Sequence, residues 1–240
     1  MVMYYNRKLV EEENLGSFDT LLDSGLLSFP VAGWHTGSFF MAAGGKLGGE
    51  SGRELRADME ITEQQYDHFR NKLMDIYKHP NFRDGQTASA WTLFARGDIA
   101  VLFETSREGE RFRRELGDDL GAAQLPMVEI GGEQAQMKTW IGVDAIGVHP
   151  ANGNVALSMK LASFLALPES QLLRYQKSGE FPAAVGLAED SALSCDPVAV
   201  AQILSTAHCG VVSPYEQCDS WVAYYSAVPY LLDLITSGRI

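Results

Sequence analysis

Apolar residues recur at helical spacing behind a helix start in the first third of the chain. Thr62 and Gln65 have the spacing of a capping box, and Phe69, Leu73 and Ile76 then repeat every three or four residues. The pattern predicts a helix over this stretch, with its apolar stripe facing a core.

The same reasoning assigns elements along the rest of the chain. Strands are predicted at residues 1–6, 26–31, 98–103, 122–127 and 140–148. Helices are predicted at residues 17–22, within residues 32–45, where a loop runs into a helix that Gly44 and Gly45 end, at 87–95, at 154–166, from Pro168, from Asp196 and from about Asp219. The last helix is predicted to bury one stripe, formed by Trp221, Tyr225, Val228, Leu232 and Ile235. Strands that alternate with helices indicate an α/β fold.

Length and charge narrow the function classes. The chain has 240 residues, 46% of them hydrophobic, which suffices for one large domain or two small ones. Its net charge of −12 repels phosphates, so neither nucleic acid nor an anionic membrane is an expected partner. No apolar run approaches the ~20 residues that span a bilayer, and no signal peptide is recognised. Taken alone, these features indicate a cytoplasmic protein.

The cysteines and the motif search give no sign of a metal, a cofactor or an enzyme. Cys195, Cys209 and Cys218 form no CxxC pair, and no histidine lies nearby at ligand spacing, so we expect no zinc site. Cys209 and Cys218 could bridge a loop in an oxidising compartment, or all three could be ordinary thiols. The chain contains no GxSxG, Walker, GxGxxG or HExxH motif. A glycosidase would need two opposed carboxylates, which sequence cannot pair.

Several segments, taken in chain order, resemble the family of extracellular solute-binding proteins typified by maltose-binding protein. The resembling segments are Met3–Leu9, Ser17–Leu21, Phe94–Val101, Gly142–Asn152 with the helix at 154–166, Pro168–Gln171, Phe181–Ala183 and Thr236–Arg239. The ordered set carries the resemblance, because each segment alone is a weak signal.

The resemblance implies a periplasmic-binding-protein-like (type II) α/β fold that contains mostly the second lobe and part of the first. Residues 1–141 and 185–240 correspond to the second lobe, and residues 142–184 to a fragment of the first lobe. The chain resembles an N-terminally truncated member, so we expect the 142–184 fragment to pack abnormally, to associate with another copy or to be mobile.

The resemblance also implies a function. It is that of the substrate-binding component of a bacterial ABC importer, which binds a sugar or oligosaccharide between two lobes and delivers it to membrane permease subunits. The complete protein would be extracytoplasmic, either periplasmic or a cell-surface lipoprotein. We expect no enzyme activity and no cofactor, and weak or undetectable sugar affinity for this chain by itself.

Sugars present apolar C–H faces and polar hydroxyls, so a binding site needs aromatic plates and a few placed polar groups. The resemblance assigns these roles to Trp34, His35, Glu104, Arg107, Trp140, Trp221 and Tyr225. Trp140 and Trp221 could instead be packing residues. Arg107 stands where maltose-binding protein has a stacking tryptophan.

Arg107 therefore leaves the ligand class open. A guanidinium group is a poor apolar plate but bonds hydroxyls or a carboxylate well, so an acidic sugar or a non-sugar solute remains an alternative. An isolated α/β interaction domain or a glycoside-processing domain is a further alternative.

Overall fold

The computed structural model describes residues 1–31, 33–85, 88–151, 153–214 and 218–239, and for residues 88 and 89 only the backbone. The strands are β1 (Val2–Asn6), β2 (Leu27–Phe29), β3 (Phe82–Asp84), β4 (Val101–Glu104), β5 (Leu120–Ala123), β6 (Met127–Ile130), β7 (Glu133–Gln136), β8 (Thr139–Ile141) and β9 (Gly210–Val212). The helices are α1 (Phe18–Ser24), α2 (Gly33–Ala42), α3 (Glu63–Lys78), α4 (Ala88–Ala95), α5 (Gly109–Leu116), α6 (Val155–Ala166), α7 (Pro168–Ser178), α8 (Ser191–Ser194), α9 (Pro197–Leu204) and α10 (Asp219–Thr236).

A five-stranded mixed sheet in the order β3-β2-β4-β1-β5 is the centre of the fold. Strand β2 runs parallel to β3 and β4, whereas β1 runs antiparallel to β4 and β5. Strands β6 and β7 form a hairpin, and β8 pairs in parallel with β9. The predicted α/β fold is confirmed.

Both faces of the sheet are covered. Along β1, Met3 and Tyr5 belong to one hydrophobic core, while Val2 and Tyr4 belong to another, as the alternation of side chains in a strand requires. Helices α1, α2, α3 and α10 supply the first core, and α4, α5 and α9 supply the second. Every residue of β1 is therefore buried.

Local end signals in the sequence are confirmed. Ser17 caps α1, and Thr62 and Gln65 form the capping box at the start of α3. Asp196 caps α9 through the backbone N–H of Val198. Pro168 occupies the first turn of α7, as predicted.

Two predicted strands have the wrong extent. The strand predicted at 140–148 is limited to β8, because its partner β9 pairs with only Thr139 to Ile141. The stretch predicted as a strand at 122–127 instead contains the end of β5 and the start of β6. Thr87, the predicted start of the fourth helix, lies outside the described residues.

The buried stripe of α10 also differs from the prediction. It consists of Trp221, Tyr224, Val228, Leu231 and Ile235. Tyr225 and Leu232 are half-buried at its border. The stripe is rotated because α2 and α3 both pack against α10 on this side.

Helices α6 and α7 contain no buried residue. Their exposed apolar side chains, together with those of the flanking stretches, are Val143, Ile146, Val155, Leu157, Met159, Leu161, Phe164, Leu167, Leu173 and Val185. An amphipathic helix normally buries such residues against another layer. The segment 142–184 thus differs from the rest of the chain in having an uncovered apolar surface.

The three cysteines are unpaired. Cys209 and Cys218 are buried, and Cys195 is exposed. The bridge between Cys209 and Cys218 that the sequence left open is therefore absent from the structure.

Candidate binding site

The carboxyl ends of β2, β3 and β4 lie at one edge of the sheet, because these strands are parallel. In open α/β sheets, ligands bind in the crevice outside the carboxyl ends of the strands. Strand β2 reaches this edge shortly before α2 begins, β3 reaches it at Asp84, and β4 reaches it at Glu104. Four of the sequence-predicted site residues follow these strand ends closely: Trp34, His35, Glu104 and Arg107.

Helix α2 begins at Gly33, so Trp34 and His35 lie in its first turn rather than in a preceding loop. Trp34 is half-buried against the first core. His35 is buried, and neither of its ring nitrogens has a hydrogen-bond partner. Burial lowers the pKa of His35 to about 4, which makes the ring neutral at pH 7.

Helix α10 is anchored to the start of α2 by Tyr224. Its hydroxyl donates to the carbonyl of Gly33 at 3.0 Å and hydrogen-bonds with Thr36 Oγ1, also at 3.0 Å. Burial raises the pKa of Tyr224 far above its ordinary value, so the hydroxyl stays protonated. This contact fixes the neighbouring Tyr225 beside the helix start.

Trp140, Trp221 and Tyr225 form a continuous aromatic row along α2. The rings of Trp221 and Tyr225 are 4.5 Å apart with an interplanar angle of 34°, and Trp140 meets Trp221 edge-on at 5.5 Å. Two glycines of α2 make room for the row. A Cβ atom at Gly33 would lie 2.6 Å from Tyr225, and one at Gly37 would lie 2.7 Å from Nε1 of Trp140.

Exposure differs along this aromatic row. Trp140 and Trp221 are only 4% and 8% exposed, whereas Tyr225 is half-buried. The two tryptophans therefore have the burial of packing residues, which is the role that the sequence left open beside ligand binding. The indole N–H of Trp140 has no acceptor.

Glu104 ends β4 with a buried carboxylate that has two donors. Oε1 accepts from the backbone N–H of Thr105 at 2.8 Å, and Oε2 accepts from Nε1 of Trp91 at 3.2 Å. Burial raises the pKa of Glu104, and the nearby Glu108 raises it further, while the two hydrogen bonds oppose the shift. Trp91 was not identified from the sequence, because a contact between a helix and a later strand leaves no periodic signal.

Arg107 lies in a short 3-10 helix, Ser106–Glu108, that follows β4, and its guanidinium group forms an ion pair with Asp144 at 2.5 Å. Asp144 was also missed, since it lies 37 residues further along the chain. Two other arginines of this region also have partners. The Arg111 guanidinium lies 4.9 Å from the ring centre of Trp91, and Arg113 binds Asp196.

The aromatic row and the β4 end are connected through the start of β1. Val2 pairs with Glu104, and the nitrogen of Met1 donates to Oγ1 of Thr139, which precedes Trp140. The start of β1 therefore lies between Glu104 and the strand that carries Trp140.

The chemistry of this region suits recognition rather than turnover. It combines stacked rings, one buried carboxylate, one neutral imidazole and one paired guanidinium. No group of three or more potential metal ligands occurs in the parts of the chain that the structure describes. Within those parts, no helix has the length and apolar character required for crossing a membrane.

Comparison with known families decides the class of this protein. Residues 1–200 match the family described as bacterial extracellular solute-binding protein.

The chain belongs to this family.

Individual relatives agree with the family match. A galactooligosaccharide-binding protein from Bacillus subtilis (strain 168) is 32% identical over 102 residues, which are 42% of this chain and 23% of the relative. A structure solved with acarbose superposes with a TM-score of 0.85 at 29% identity, over 97% of this chain and 61% of that one. A maltodextrin-binding protein from L. casei solved without ligand superposes with a TM-score of 0.86 at 21% identity, over 100% of this chain and 64% of that one.

Family membership confirms several predictions. The fold is that of the solute-binding family, and members of the family bind solutes rather than transform them, so the expectation of a non-enzyme is confirmed. The extracellular character of the family replaces the cytoplasmic placement that composition alone indicated. The chain spans about 60% of the solved structures that it matches.

Proposed function

We infer that this chain supplies one side of a carbohydrate-binding cleft. The observation that carries the inference is the aromatic row, which presents Tyr225 at the same sheet edge as Trp34 and Glu104. Aromatic faces pack on the C–H surfaces of a sugar, and the polar groups bond its hydroxyls. The sugars named for relatives, acarbose, maltodextrin and galactooligosaccharide, support a neutral oligosaccharide as the ligand.

The site residues divide by exposure into two roles. Tyr225 and Trp34, both half-buried, are the stacking plates, and Arg107 donates to hydroxyls. His35 and Glu104 supply buried polar atoms at the floor of the site. Trp140 and Trp221 hold Tyr225 in place from behind.

The lobe assignment follows the same proposal. Residues 1–141 and 185–240 form the second lobe around the five-stranded sheet, and residues 142–184 belong to the first lobe. The uncovered apolar side chains of α6 and α7 support this division, because they need a layer that the described residues do not supply. In solution, the same surface favours self-association of the chain.

In the complete protein, closure of two lobes around the sugar would present the loaded form to the permease subunits of an ABC importer. Membership of an extracellular family supports an extracytoplasmic location. The complete protein would be either a periplasmic protein or a cell-surface lipoprotein.

Saturation-transfer NMR with maltotetraose tests sugar binding, because it detects weak complexes. Tyr225→Ala is expected to weaken binding by roughly tenfold, since it removes a stacking plate. Tyr230→Ala, on the same helix at a side chain that is 64% exposed, is the matched control. Equal binding by the two variants, or no transfer to the wild-type chain, would refute the proposed site.

A further inference from the structure

We propose that Asp144 sets the charge class of the ligand by neutralising Arg107, so that the site selects neutral glycans over anionic ones. This inference rests on the proposed carbohydrate site and identifies a specificity residue outside it. Asp144 follows β8, in a stretch without regular secondary structure, and its carboxylate meets the Arg107 guanidinium at 2.5 Å.

The two partners come from segments that are held near each other by other contacts. The carbonyl oxygen of Arg107 would be 3.7 Å from a Cβ atom at Gly179, which ends α7. On the same helix, Tyr175 donates its hydroxyl to Asp196, which also accepts from Arg113 at 2.6 and 2.7 Å. The short 3-10 helix that carries Arg107 therefore faces the 142–184 segment, and the ion pair joins surfaces that are already adjacent.

The charge that a ligand meets at this edge depends on whether Arg107 is paired, because carboxylates lie next to Arg107 in the chain. The side chain of Arg107 is 60% exposed and that of Asp144 is 90% exposed, so both are accessible to a ligand in solution. Glu104 lies three residues before Arg107, and Glu108 follows it and acts on Glu104 electrostatically. With Arg107 paired, an anionic ligand at this edge would meet the carboxylates of Glu104 and Glu108 beside an arginine that is already neutralised.

A neutral sugar meets no such barrier. A guanidinium group has five N–H donors, so Arg107 retains donors for hydroxyls while one nitrogen is bound to Asp144. A carboxylated sugar would have to displace Asp144 before it gained a bidentate contact. Removing the charge of Asp144 should therefore favour the acidic ligand specifically.

The test uses maltotetraose and the same glycan oxidised to a carboxylate at one primary hydroxyl. Both are titrated against the wild-type chain and Asp144→Asn at low salt, and the measured quantity is the ratio of the acidic to the neutral affinity. The ratio is expected to rise about fivefold, the upper range for an exposed ion pair, and to return toward the wild-type value in high salt.

Two further variants separate this role from a general charge effect. Asp98→Asn removes the same charge from an ion pair with Arg96 at the opposite end of β4, and should leave the ratio unchanged. In an Arg107→Gln background, Asp144→Asn should no longer raise the ratio, because its effect acts through Arg107.

Failure of the inference and failure of the proposed function give different results. If neither glycan binds the wild-type chain or any variant, the carbohydrate site and the inference both fall. If maltotetraose binds but Asp144→Asn leaves the ratio unchanged, or Asp98→Asn raises it equally, only the role of Asp144 is overturned.

Discussion

The ring of Tyr225 occupies the space beside Gly33 that any larger residue would need. A methyl group at Gly33 would lie 2.6 Å from Cε1 and 2.7 Å from Cδ1 of that ring. The contact joins the first turn of α2 to α10, and it determines where the exposed part of Tyr225 points.

Replacing Gly33 with alanine should therefore displace Tyr225. We expect Gly33→Ala to lower the free energy of unfolding by about 1–3 kcal/mol, as overpacking does, and to weaken maltotetraose binding. Urea denaturation and NMR titration measure the two effects. Gly16→Ala is the control, since no atom lies within 4 Å of a Cβ atom at Gly16. Equal behaviour of the two variants would contradict the packing described for Gly33.

The hydroxyl of Tyr224 should contribute measurably to stability. It is buried and bonds both Gly33 and Thr36, so Tyr224→Phe removes two hydrogen bonds from a buried position. We expect a loss of about 1–2 kcal/mol in the free energy of unfolding. Tyr230→Phe removes an exposed hydroxyl from the same helix and should have almost no effect. A Tyr224→Phe variant as stable as the wild type would show that these hydrogen bonds contribute nothing.

The stability of the fold should depend on His35 in mild acid. Burial, with a smaller effect from the Met1 amino group, lowers the pKa of His35 from 6.5 to about 4. The unfolded chain therefore takes up this proton at a higher pH than the folded chain does. The stability that neutral His35 contributes is complete above pH 6.5 and is lost as the pH falls towards 4, by up to about 3 kcal/mol.

Urea unfolding at several pH values measures this dependence. His35→Phe should flatten the slope between pH 6.5 and 4, because phenylalanine has no group to protonate. His149→Phe, at an exposed site, controls for the loss of a histidine. A His35→Phe variant that keeps the wild-type slope would assign the acid sensitivity to another group.

The bond between Tyr175 and Asp196 should restrain the 142–184 segment. Tyr175→Phe removes a hydrogen bond to a carboxylate, which is worth about 1.5–3 kcal/mol. Hydrogen exchange of amides in α6 and α7 is expected to accelerate, while amides of β1 keep their protection. Tyr230→Phe again serves as the control. If Tyr175→Phe left the exchange in α6 and α7 unchanged, the hydrogen bond between Tyr175 and Asp196 would not restrain this segment.

The sequence predicted those features that depend on a few neighbouring residues. The caps at Ser17 and Thr62 were correct because donor and acceptor lie within three residues of each other. The extent of β8 was not predictable, because strand length there is set by pairing with β9, about 70 residues later.

The site was predictable only where a family pattern reached it. The resemblance assigned Trp34, Glu104 and Tyr225 to one site, but their burial depends on packing between distant elements. Trp91 and Asp144 were missed for the same reason, since each is defined by a partner 13 or 37 residues away. Periodicity also favoured Tyr225 over Tyr224 for the buried stripe, because it cannot show which helices α10 packs against.

Fluorine NMR of the chain labelled with fluorotryptophan tests the proposed sugar site most directly. The four tryptophans give separate probes, with Trp34, Trp140 and Trp221 around the aromatic row and Trp91 on the opposite face of the sheet. On titration with maltotetraose, we predict that the signals of Trp34 and Trp221 shift along one saturation curve, and that Tyr225→Ala abolishes these shifts. Signals of Trp34 and Trp221 that stay in place up to the solubility limit of the glycan would contradict the proposed site.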